Sequence, residues 1–82
     1  MTISYRLAKS IMDENNKIFW RLNSMDPVYT NEDISKECDI TPSEVQSLRG
    51  DFLICYDTYL QTVGSNEFFN FLNKARYEEE GA

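Results

Sequence analysis

The four residues Thr41-Pro42-Ser43-Glu44 constrain this 82-residue chain more than any other stretch of it. A threonine hydroxyl at the N-cap, a proline at the first helical position and a carboxylate three residues after the cap together satisfy the N–H groups that a helix start leaves unpaired. A helix therefore begins at Pro42. Downstream, Val45, Leu48, Phe52, Cys55, Tyr59 and Val63 recur at three- and four-residue steps, so the helix is read as running about 22 residues, until Gly64 ends it in left-handed geometry. Gly50, inside it, costs about 1 kcal/mol relative to alanine and marks a place to bend or divide near Arg49-Gly50-Asp51.

The other elements follow from the same rules. Leu7, Ile11, Ile18, Leu22 and Met25, widened by Ala8, Met12 and Phe19, make the apolar face of a first helix read from Thr2 to Met25. Trp20 falls on the opposite side of that helix, near Lys9, Asp13 and Lys17, as a residue covered by a neighbouring element or as a partner contact. Pro27 enforces a loop that includes Tyr29. Thr30 caps a short second helix, with Asp33 reciprocating and Ile34 and Cys38 turned inward.

Beyond Gly64, Ser65 or Asn66 caps a last helix. Its Phe68, Phe69, Phe71, Leu72 and Ala75 cover more than half the circumference, and a surplus of aromatics suits a dimer interface. Glu78-Glu79-Glu80-Gly81-Ala82 is read as a frayed acidic tail. The expected fold class is all-α, one small four-helix domain over residues 1–82 with a thin core.

Composition narrows the function. A hydrophobic content of 41% is too high for a disordered chain. No apolar run reaches the roughly 20 residues that span a bilayer, and MTISYRLAKS lacks the apolar stretch of a secretion signal, so a cytoplasmic protein away from membranes is expected. Cys38 and Cys55 sit among apolar helical positions and are read as reduced core thiols. With no histidine, no activated cysteine, no zinc spacing and no glycine-rich phosphate loop, neither an enzyme nor a cofactor, metal or small-molecule site is expected.

The stretch Asn31 to Arg49, NEDISKECDITPSEVQSLR, sets Ile34, Cys38, Ile40, Val45 and Leu48 at the offsets that clamp two crossed helices around a corner at Asp39. Over about a quarter of the chain it resembles the helix-turn-helix of small bacterial and phage DNA-binding regulators. Ser35 stands where that family prefers alanine, and Asp39 where it prefers glycine. The resemblance implies duplex DNA as partner, with the second helix of the motif in the major groove. Thr41, Ser43, Gln46, Ser47 and Arg49 would then face outward, Gln46 toward adenine and Arg49 toward guanine or phosphate, while Lys36 holds the backbone.

Charge favours a second class. The formal net charge is −6. Residues 2–25 hold Arg6, Lys9, Lys17 and Arg21 against Asp13 and Glu14, a balance of +2, and the two later thirds stand at −4 each. Glu32, Asp33, Glu37, Asp39 and Glu44 surround the corner, where each repels phosphate. DNA binding would then call for a homodimer, with the first-helix cations adding positive charge. The alternative is an acidic adaptor, inhibitor or DNA mimic that binds a basic partner protein through Trp20, Tyr29, Phe68, Phe69 and Phe71.

Overall fold

An asparagine inside a helix offers its own amide to the backbone, and Asn15 does so. Its Nδ2 donates to the Ile11 carbonyl at 2.8 Å, and its backbone sits at φ −122°, ψ 25°, outside the helical well. The computed structural model, which describes residues 3–81, accordingly divides the expected first helix into α1 (Tyr5–Glu14) and α2 (Asn16–Asn23). Then follow α3 (Asn31–Cys38), α4 (Pro42–Thr62) and α5 (Ser65–Glu80). The described residues form five helices where four were expected, and no strand. The expected helix start at Thr2 and the last tail residue, Ala82, lie outside the described residues.

The break at Asn15 changes the phase of everything after it. α1 packs on α4, whereas α2 packs on α5, α4 and α3, so α2 buries four consecutive residues, Ile18, Phe19, Trp20 and Arg21. Trp20 is only 3% exposed; of the two alternatives read for it, coverage by a neighbouring element holds, with Glu79 near the end of α5 and Tyr29 against the indole. Met25, expected on the buried stripe, lies beyond the end of α2 at Asn23 and is 85% exposed. Leu7 also leaves the stripe for the surface.

The core is an aromatic and aliphatic layer between α4 and its neighbours. Ala8, Met12, Phe19, Ile34, Val45, Cys55 and Phe68 are fully buried. Phe19 meets Phe52 edge-on at 5.6 Å. Phe52, Tyr56 and Tyr59 of α4 surround Phe68 at ring separations of 5.4, 5.1 and 5.5 Å, all edge-to-face. Phe69 packs on Tyr56 at 5.9 Å, and Phe71 is half-buried against the same core. The aromatic surplus of α5 is thus taken up largely by α4 of the same chain, and Phe68 is a core residue with no surface to give a partner.

α4 runs 21 residues without interruption. Gly50 faces open space, with nothing within 4 Å of where a Cβ would stand, while the residues on either side of it, Leu48 and Phe52, pack against the core. The helix therefore does not divide there. Gly64, at φ +89°, ends it and donates its N–H to the Tyr59 carbonyl at 2.8 Å. Gly64 is also the N-cap of α5, in place of Ser65 or Asn66. The expected frayed tail is helical through Glu80.

Both cysteines are free thiols. Cys55 Sγ lies 3.7 Å from the Ala8 carbonyl, and burial, assisted by the charge of Asp51, pushes its pKa up from 9.0 to about 11. A pKa raised by folding adds stability that is complete below the unfolded value and is lost as pH rises through the folded one. The urea midpoint should consequently fall between about pH 9 and pH 11, and Cys55→Val should reduce that fall. In the core, Ile34→Ala should cost about 2 to 5 kcal/mol in the same denaturation experiment; a loss under about 0.5 kcal/mol would contradict the packing described.

Candidate functional site

A reciprocal cap starts α3, and a second one together with a left-handed residue builds the corner between α3 and α4. Thr30 Oγ1 accepts from the Asp33 N–H at 3.1 Å, and Asp33 Oδ2 accepts from the Thr30 N–H at 3.0 Å. These bonds hold the Asp33 carboxyl below its ordinary pKa. Thr41 and Glu44 repeat the arrangement at 3.1 and 3.4 Å. Between the helices Asp39 adopts φ 56°, ψ 48°, the left-handed region that aspartate enters more readily than most residues. The Ser35 hydroxyl donates to the Ile40 carbonyl, and the Ile40 N–H donates back to the Ser35 carbonyl at 3.2 Å. Below this corner Ile34 and Val45 are fully buried, and Cys38, Ile40 and Leu48 pack against the same core.

The polar residues predicted to face outward divide into two sets. Lys36, Thr41, Ser43, Gln46 and Ser47 are exposed, and Arg49 is half-buried. Asn31, which the sequence did not single out, connects two of them: its Nδ2 donates to Gln46 Oε1 at 3.0 Å, and its Oδ1 accepts from Arg49 Nε at 2.6 Å. The amide thus has a donor and an acceptor matched on opposite sides, which holds Gln46 and Arg49 in one orientation. No local signal identifies Asn31, because its partners lie 15 and 18 residues away and come within reach only after the corner folds.

Three of the five acids near the corner have partners inside the chain. Asp33 and Glu44 serve the caps, and Glu37 lies 3.4 Å from Arg21. From Pro42 to Gly50 the only acid on α4 is Glu44, so the strip formed by Ser43, Gln46, Ser47 and Gly50 carries none.

Arg21 accounts for a second polar cluster at the opposite side of α3. Its Nη2 lies 2.8 Å from Glu79 Oε2, which also accepts from Trp20 Nε1 at 3.0 Å, and its Nη1 donates to the Lys17 carbonyl at 2.9 Å. The guanidinium stacks over Trp20 at 4.4 Å, and Tyr29, half-buried, meets Trp20 edge-on at 5.6 Å. Burial works against this cation, but the Glu79 hydrogen bond and the surrounding negative groups outweigh it and raise its pKa. Trp20 and Arg21 are therefore structural. The positive charge expected from the first-helix cations reduces to Arg6, Lys9 and Lys17, of which Lys9 pairs with Asp13 at 3.8 Å.

Beside this cluster lies a hollow of about 470 Å³ lined by Lys17, Glu37, Cys38, Asp39 and Glu79 among others. Burial raises the Cys38 thiol pKa there, against the pull of Arg21. Among the described residues no group of three His, Cys, Asp or Glu is placed to hold a metal ion, and no helix is long and apolar enough to cross a membrane.

Glu79→Gln removes the counter-charge of a buried guanidinium and should destabilise the domain by about 2 kcal/mol. Glu80→Gln breaks only the exposed pair with Arg76 and should cost under about 0.5 kcal/mol. Thermal unfolding of the two variants side by side checks the contrast, and equal losses would contradict it. Comparison with family models, with curated proteins and with solved structures finds no match for this chain.

Proposed function

We infer that this chain is a small regulatory DNA-binding protein, with the α3–α4 corner as a helix-turn-helix. The observation that carries the reading is the pair Gln46 and Arg49, held by Asn31 beside an outward strip of α4 that has no acidic side chain. The first two turns of α4 enter the major groove, where Ser43, Gln46 and Ser47 meet base edges and the Gln46 amide suits adenine. Lys36, Thr41 and the Ser43 N–H, which the cap leaves free, face phosphate. Arg49 positions Gln46 through Asn31.

The two departures from the family pattern support the same corner: Ser35 binds the Ile40 carbonyl, and Asp39 supplies the left-handed residue. Internal pairing of Asp33, Glu37 and Glu44 reduces the repulsion that a chain of charge −6 exerts on phosphate.

A second reading is favoured by that same net charge. An acidic domain with Met25 and Val28 exposed in the loop between α2 and α3 suits a basic protein partner. Titration of a random duplex with salt separates the two. The DNA reading expects binding at low salt that weakens steeply as salt rises, with a slope reduced by about one in Lys36→Ala. Against a selected site, Gln46→Ala should lose about 10- to 100-fold in affinity, equivalent to about 1–3 kcal/mol. No detectable binding at low salt removes the DNA reading in favour of the basic protein partner.

A further inference from the structure

The outward side of α4 carries a second pattern, which shares Gln46 with the DNA reading and runs on beyond it. Gln46, Leu53 and Leu60 stand seven residues apart with Gly50 and Asp57 between them, all exposed; Leu53 is 65% and Leu60 49% exposed. Leu53 and Leu60 make one seven-residue apolar step, the spacing of a helix seam that packs against another helix. Beside Leu53 opens a groove of about 270 Å³ lined by Leu22, Arg49, Phe52 and Leu53 itself. Each molecule thus presents an apolar knob next to an apolar hole, and open space over Gly50 lets a second backbone come close.

The charges along this stripe identify the occupant. Arg49 and Asp57 stand four residues to either side of Leu53. A second α4 laid antiparallel about a two-fold axis at Leu53 sets Arg49 against the partner's Asp57, twice, whereas a parallel pairing sets like charge against like. Arg49 uses Nε for Asn31, and its Nη groups have no partner among the described residues. Among the described residues Asp57 accepts only from Gln61, at 3.3 and 3.4 Å, which leaves its oxygens able to accept more. We propose that the chain forms an isologous dimer along α4, with Leu53 of each copy in the groove of the other and two reciprocal Arg49–Asp57 pairs at its flanks.

This interface is not the α5 aromatic face expected from the sequence, and it stands without DNA. The same register sets Gln46 against the partner's Leu60, so contact along this seam and docking of Gln46 on DNA compete for one side chain.

Sedimentation equilibrium of the full chain, without DNA, tests the proposal. Wild type should show a monomer–dimer equilibrium, and Leu53→Glu should be monomeric with an unchanged far-UV spectrum. Arg49→Glu and Asp57→Arg should each weaken the dimer by at least about tenfold through like-charge contact. Mixed in equal amounts the two should associate again, because in the mixed dimer each altered side chain faces one of opposite sign. A monomeric wild type, a dimer that survives Leu53→Glu, or charge variants that do not recover on mixing would each overturn it. Duplex binding measured on the same samples keeps the readings apart: a dimer that ignores DNA sinks only the DNA reading, and a monomer that binds DNA sinks only the dimer.

Discussion

An arginine only 7% exposed in a domain this small requires a counter-charge, and Glu79 supplies it from the far end of the chain. The same oxygen of Glu79 takes the indole N–H of Trp20, and the guanidinium covers the indole face, so α2 is fastened to the last turns of α5. Glu37 brings α3 to the same arginine. Because α3 is held at that end, its first residue, Asn31, meets Gln46 and Arg49 on α4. The order of the polar corner therefore depends on a contact between residues 58 apart in sequence, at the opposite side of α3.

What was legible in the sequence was local. The Thr30 and Thr41 caps, the break at Asp39, the start of α4 and the inward set Ile34, Cys38, Ile40, Val45 and Leu48 all follow from interactions within a few residues, and the structure places them as read. The division at Asn15 was not legible. A polar side chain in mid-helix either faces water or binds its own backbone, and only packing selects between the two. One such choice moved Trp20 into the core, released Met25 and turned four helices into five. The tail was misread for a related reason: Glu78-Glu79-Glu80 looks like a solvated run until Arg21 lies beneath it.

Charge shows the same dependence on tertiary context. Counted along the sequence, five acids crowd the corner. In the fold Asp33 and Glu44 are occupied with backbone N–H groups, and Glu37 faces Arg21. A carboxylate that accepts from a helix N-terminus has part of its field compensated by the helix dipole. Net charge thus describes the long-range potential of this domain, while the first turns of α4 present hydroxyls, an amide and a single exposed acid, Glu44, engaged in the cap.

The continuity of α4 joins these observations. A glycine at position 50 costs about 1 kcal/mol in a helix interior, yet the helix passes through it without a break because Leu48 and Phe52 are seated on Phe19, Phe68 and the rest of the core. On the outer side the missing side chain leaves space. One continuous helix therefore carries the capped polar corner at its N-terminus and the Leu53–Leu60 stripe farther along. A break at Gly50 would uncouple the two. The half-buried Leu48 and Phe52, two residues to either side of the glycine, tie both halves of α4 to one core and so keep corner and stripe in a single frame.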